Sequence, residues 1–113
     1  MASDKTLEID GRTLDRLFAV IGERRKAPPA ESHTARMFEK GLPKIAQKVG
    51  EEAVETVIEG VSGSEEKLAE ESADLLYHLL LLWSARGLKP AKVWKVLEAR
   101  GQKGTGPLES GKD

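Results

Sequence analysis

Residues 42–86 read LPKIAQKVGEEAVETVIEGVSGSEEKLAEESADLLYHLLLLWSAR, and two helical periods split by Ser62-Gly63-Ser64 decide the fold. In the first, Leu42, Ile45, Ala46, Val49, Ala53 and Val57 recur at three- and four-residue spacing and form one apolar stripe. Pro43 falls in the first turn, where its missing N–H removes no helical bond. The spacing predicts a helix from about Leu42 to Val61, weakened at Gly50 by about 1 kcal/mol relative to alanine. Ser64 is placed to cap a second helix, Glu65 to Arg86, whose early glutamates suit the helix dipole and which Gly87 ends. Helices joined by so short a turn pack antiparallel.

Working outward, Leu14, Leu17, Phe18 and Ile21 predict a helix from a Thr13 cap to about Arg24. Lys26-Ala27-Pro28-Pro29-Ala30 reads as a loop. Ser32 caps a short helix, His33 to Lys40, and Gly41 ends it. Lys89-Pro90 opens a last helix, to about Arg100. Residues 1–11, and the Gly-, Lys- and Ser-rich stretch from Gly101 on, are expected to be flexible. Apolar and polar residues nowhere alternate at the period of a strand. The expectation is all-α: a single domain over residues 1–113, ordered from about 13 to 100, a helical bundle of four to five helices. Between Leu75 and Trp83 only Tyr77 and His78 are polar. A helix apolar almost all round must be covered on most sides, which predicts a homodimer that completes a four-helix core.

The composition excludes several chemistries. The 113 residues contain no cysteine, so disulfides, zinc thiolates, iron–sulfur clusters and thiol nucleophiles are ruled out. No apolar run follows a basic start, and the longest run, Leu79 to Trp83, is too short to span a bilayer, so a cytoplasmic protein without membrane attachment is expected. A formal net charge of −1 argues against a nucleic-acid partner. That total is lopsided, because residues 51–74 hold nine acidic residues against one lysine. Like charges so dense repel and need a physical reason.

At 100° per residue, Lys48, Glu52, Glu55 and Glu59 share one flank beside the apolar stripe, with Glu51 further out. On the next helix Glu71, Asp74 and His78 share a stripe with Leu75 and Leu82. Glu65, Glu66 and Glu70 read as an ordinary solvated surface. Glu71 and Asp74 do not, because the positions four residues on are Leu75 and His78 rather than lysines. Half-buried carboxylates facing one another across a hairpin suffer desolvation and repulsion, and a divalent cation relieves both. Carboxylate-only ligation selects Mg²⁺ or Mn²⁺. A di-iron bundle needs Glu-x-x-His on two helices, and no glutamate here has a histidine three residues on. Gly106 to Lys112 mimics a phosphate-binding loop, but Asp113 replaces its Ser or Thr and no strand precedes it.

Glu51-Glu52-Ala53-Val54-Glu55 followed by Glu71-Ser72-Ala73-Asp74 resembles the all-α, MazG-like nucleoside triphosphate pyrophosphohydrolase superfamily. Residues 32–41, Lys44-Ile45, Lys48-Val49-Gly50-Glu51-Glu52 and residues 70–80 narrow the resemblance to the phosphoribosyl-ATP pyrophosphatase family, over residues 14 to 100. His33 stands where the resemblance leads one to expect tyrosine. It implies hydrolysis of phosphoribosyl-ATP in histidine biosynthesis, with Mg²⁺ (or Mn²⁺) held by Glu52, Glu55, Glu71 and Asp74. Glu51, Glu52 and Glu55 are then the expected catalytic residues, with Glu51 on a second metal or orienting the water. Lys40, Lys44 and Lys48 are placed to meet the polyphosphate, and Ser32 and Thr34 to hydrogen-bond substrate. Two alternatives stay open: a related enzyme acting on noncanonical or deoxynucleoside triphosphates, and a helical dimerisation module with no metal.

Overall fold

A computed structural model describes residues 8–103. Among them are five α-helices, α1 (Arg12–Arg24), α2 (His33–Lys40), α3 (Leu42–Ser62), α4 (Glu65–Ala85) and α5 (Pro90–Lys103), plus one 3₁₀ turn at Pro29–Glu31. The chain is all-α, as the periodicity predicts. No described helix is long and apolar enough to cross a membrane.

The antiparallel hairpin of α3 and α4 is the frame; α1 packs on α4, and α2 bridges α3 and α1. Caps set the boundaries. Ser32 Oγ accepts from Ala35 N at 3.0 Å and Ser64 Oγ from Lys67 N at 3.1 Å, as read from the sequence. Gly41 breaks between α2 and α3 at φ 99°, a left-handed value that a side chain would strain. Gly87 closes α4 at φ 71°, where Gly87 N bonds Ser84 O and Leu88 N bonds Trp83 O.

Two boundaries differ from the sequence reading. Thr13 does not cap α1; the helix begins at Arg12 with Gly11 at the cap position, and the Asp10 carboxylate just before it receives the Arg12 N–H at 2.9 Å. At the other end α5 runs on through residues 101–103. The expected flexibility of residues 1–7 and 104–113, like the phosphate-loop mimic at 106–113, falls outside the described residues.

The core is Ile21, Met37, Ile45, Leu80 and Leu81, gathered where α1 and α2 cover the open end of the hairpin. The Arg25 guanidinium sits 3.9 Å from the centre of the Phe38 ring and donates to Ser84 O, joining α1, α2 and the end of α4. Trp94 Nε1 donates to Asp15 Oδ1 at 3.0 Å and its ring meets Trp83 edge-on, which ties α5 to α1 and α4.

The predicted stripe on α3 is only partly covered. Ile45 is buried and Val49 and Ala53 are half-buried, but Leu42, Ala46 and Val57 are exposed. Toward the turn, Val54, Val57, Ile58 and Val61 are 53–83% exposed, because α1 and α2 stop short of this half of the hairpin. Leu76 of α4 is 40% exposed.

Candidate metal centre

The acidic site lies midway along the α3–α4 hairpin, between the core and the turn. Glu52 and Glu55 are three residues apart and share a helix face; Glu71 enters from α4. One carboxylate oxygen from each of the three falls within 4.8 Å of the others. Glu52 is buried, Glu71 half-buried and Glu55 exposed, so the cluster opens to solvent on one side.

Two hydrogen bonds hold it. The Thr56 hydroxyl lies 2.8 Å from the carbonyl oxygen of Glu52, one turn back, and 3.1 Å from that of Glu71 across the hairpin. A single donor shared between these carbonyls fixes the separation of the two backbones that carry the carboxylates. Sequence reasoning passed over Thr56, because its cross-helix partner is 15 residues away and no local pattern announces it.

The electrostatics are strained in the way dense carboxylates predict. Glu71 is pushed up to about 7, first by its hydrogen bond with Glu55, then by burial and by the charges of Glu55, Glu52 and Asp74. Glu52 Oε1 and Glu71 Oε1 are buried without a hydrogen-bond partner. An acceptor left so in an apolar setting is costly, on the order of 1–3 kcal/mol. Both the unmet lone pairs and the retained proton fit a cluster suited to a hard divalent cation.

The remaining expected residues distribute around it. Asp74 is exposed one turn beyond Glu71 and lies outside the converging three, though its charge acts on Glu71. Glu51 points away, accepting from Gln47 Nε2 at 2.7 Å, which with Lys48 holds its carboxyl below the usual range. Lys48 Nζ stands between them, 3.5 Å from Glu51 and 3.6 Å from Glu52. Lys44 is exposed and bonds Gln47 at 3.3 Å, and Lys40 is exposed on α2.

Ser32 and Thr34 are buried, and both hydroxyls are engaged inside the protein. Ser32 Oγ caps α2 and donates to Arg24 O at 3.2 Å. Thr34 Oγ1 pairs with the Tyr77 hydroxyl at 2.5 Å. Only His33, between them, is exposed. Its ring stacks on Tyr77 at 6.1 Å and 29° and meets His78 edge-on. His78 Nδ1 donates to Asp74 O at 2.8 Å, the carbonyl having no proton to give. Its buried Nε2 has no partner.

A family model described as phosphoribosyl-ATP pyrophosphohydrolase matches residues 14–101. The phosphoribosyl-ATP pyrophosphatase of Azospirillum brasilense is 56% identical over 100 residues, 88% of this chain and 87% of that protein. The corresponding protein of Paramagnetospirillum magneticum is 50% identical over 91 residues, 80% of this chain and 84% of its own. A phosphoribosyl-ATP pyrophosphatase from Granulibacter bethesdensis is 56% identical over 89 residues, which make up 79% of this chain but 56% of that protein.

Proposed function

The chain belongs to the phosphoribosyl-ATP pyrophosphohydrolase family, and from that membership we propose that it hydrolyses the α–β phosphoanhydride of phosphoribosyl-ATP in histidine biosynthesis. Water attacks phosphorus, the α–β anhydride bond breaks, and phosphoribosyl-AMP and pyrophosphate leave. The observation that carries the reading is the convergence of Glu52, Glu55 and Glu71, with two buried carboxylate oxygens lacking a partner.

Glu52, Glu55 and Glu71 are the residues that would hold Mg²⁺, or Mn²⁺ in its place, with Asp74 one turn away completing the set. Such an ion neutralises phosphate charge and polarises the scissile phosphorus. The protein supplies the rest. The Thr56 bridge keeps the two carboxylate-bearing helices at fixed separation. Lys48, held between Glu51 and Glu52, presents its ammonium at the edge of the cluster for phosphate oxygens. Lys44 and Lys40 extend the positive approach, so a polyanion is drawn toward carboxylates that would otherwise repel it. In this reading Glu51 sets the position of Lys48.

A second copy of the chain is the cover we propose for the face formed by Val54, Val57, Ile58 and Val61. These residues follow i, i+3, i+4, i+7 spacing, the repeat that helices use to pack on helices.

Pyrophosphate release from phosphoribosyl-ATP, with Mg²⁺ and after chelation, tests the activity. Metal-dependent release is expected. Turnover of dUTP or dCTP without turnover of phosphoribosyl-ATP would move the chain to another substrate within the superfamily.

A further inference from the structure

The first turn of α2 holds three side chains in sequence, and only one of them is available to a ligand. Ser32 and Thr34 spend their hydroxyls on Arg24 O, Ala35 N and Tyr77. His33 lies exposed over the Tyr77 ring, so the imidazole face turned away from Tyr77 is open. Burial of its inner side, and the charges of Arg36, His78, Lys40 and Lys48, hold this imidazole below its ordinary basicity.

An open, flat ring among cations suits a ligand that is itself flat at one end and anionic at the other. The order of groups matters as much as their kind. His33 meets the His78 ring edge-on at 6.4 Å, and His78 bonds the carbonyl of Asp74, one turn from Glu71; Lys48 touches Glu52, and Glu52 converges with Glu55 and Glu71. Aromatic ring, ammonium and carboxylate cluster are thus neighbours, the three kinds of group that a base, a phosphate and a metal-bound phosphate call for. We propose that His33 is a specificity-determining residue, its outer face stacking on the purine base of the nucleotide while Lys48 and the carboxylate cluster take the phosphates. The assignment rests on the reading of the site as a nucleotide hydrolase.

The test compares wild type with His33→Ala, His33→Phe and His33→Gln, using initial rates on phosphoribosyl-ATP and inhibition by inorganic tripolyphosphate, which has phosphates and no base. His33→Ala is expected to raise KM roughly ten-fold with kcat within about two-fold, the size expected for one lost base–aromatic stack. His33→Phe should restore KM, because it keeps a flat ring; His33→Gln should not. Tripolyphosphate inhibition should be equal in all four proteins, and so should thermal midpoints. An unchanged KM in His33→Ala, or tripolyphosphate inhibition weakened in step with KM, overturns the proposal. A wild type that hydrolyses some other nucleoside triphosphate refutes the substrate reading alone, and the same KM comparison is then made with that nucleotide. A wild type that hydrolyses none overturns both.

Discussion

The Thr56 hydroxyl sits 3.1 Å from the carbonyl oxygen of Glu71, while remaining 2.8 Å from the carbonyl of Glu52 on its own helix. One small side chain therefore sets the distance between the two helices at the level of the carboxylate cluster. Thr56→Val keeps the branched shape and removes the donor. It should cost about 1 kcal/mol of stability, as one hydrogen bond is worth, read from the denaturant midpoint. The larger effect should be on metal affinity, since Glu71 is then free to drift from Glu52. A Mg²⁺ titration followed by activity should show the half-saturating concentration rising several-fold; an unchanged value would show that Thr56 does not position the cluster.

Glu71 gives the site a distinctive pH dependence. Its carboxyl titrates at about 7 rather than 4.5. Between those values the folded chain binds a proton that the unfolded chain does not, so this group's contribution to stability falls as pH rises toward and through 7. His33 acts with the opposite sign, because its basicity is lowered from 6.5 and the unfolded chain protonates first on acidification. Comparing thermal midpoints of wild type and Glu71→Gln from pH 5 to 8 without metal removes the His33 contribution. The wild type should lose stability relative to the variant as pH rises. Adding Mg²⁺ should reverse the trend, since a metal ligand must be deprotonated, and stabilisation by the ion should grow from pH 6 to 8.

How much of this was legible beforehand follows from the range of each interaction. Ser32 and Ser64 were readable as caps because a cap and its N–H are three residues apart. Glu52 and Glu55 were readable as a pair because helical spacing alone puts them on one face, and the short turn at Ser62-Gly63-Ser64 implies that Glu71 lies opposite. The family resemblance assigns Thr34 and Ser32 to the substrate, and the cap reading of Ser32 stands beside it. The partners they have within the chain, Arg24 O and Tyr77, are set by how α2 lands on α1 and α4, which no local pattern encodes. Val57 belongs to an apolar stripe by periodicity, but periodicity does not say whether the cover comes from the same chain. Here α1 and α2 cover only the end of α3 that carries Ile45.

The structure also ranks the four carboxylates. Glu55 is one of the converging three, whereas Asp74, exposed like Glu55, lies outside them and acts on the cluster through its charge. Glu55→Gln removes a charge from the proposed metal cluster while leaving an amide that can still hydrogen-bond Glu71, and activity at saturating Mg²⁺ should fall by about 100-fold or more, the scale on which single electrostatic groups contribute to transition states. Asp74→Asn should lose less at saturating metal and show its effect chiefly as a weaker Mg²⁺ requirement curve. Circular dichroism should show both variants folded. Equal losses at all metal concentrations would place Asp74 in the same shell as Glu55.

Tyr77 is the link between α2 and α4. Tyr77→Phe deletes the hydroxyl that pairs with Thr34, leaving a buried Thr34 oxygen with no cross-helix partner. The expected destabilisation is about 1–2 kcal/mol, with the ring and its packing retained. The double variant Tyr77→Phe with Thr34→Val removes both polar ends and should recover part of that loss. Denaturant unfolding of the two variants checks the pair; additive losses would show that the two hydroxyls do not interact.

The uncovered half of α3 yields the last expectation. Val57 and Ile58 are 62% and 53% exposed, and Val54 and Val61 flank them on the same face. Water contact with four β-branched side chains in one row is unfavourable by about 25 cal/mol for each Å² of apolar surface left open. A second copy laying its own α3 against this row removes that cost on both chains at once, as a two-fold interface does. Val57→Glu with Ile58→Glu places two charges in such an interface, where burying them unpaired costs far more than the lost apolar contact. Light scattering should then give twice the chain mass for wild type and the single mass for the double variant. The carboxylates lie on the neighbouring flank of the same helix, so the variant should also report whether dimerisation holds them. A monomer that retains Mg²⁺ affinity would show that each chain builds its own cluster, and one that loses it would show that α3 needs the second copy to keep Glu52 and Glu55 aligned with Glu71. A wild type of single-chain mass would leave this face to some other partner and refute the dimer.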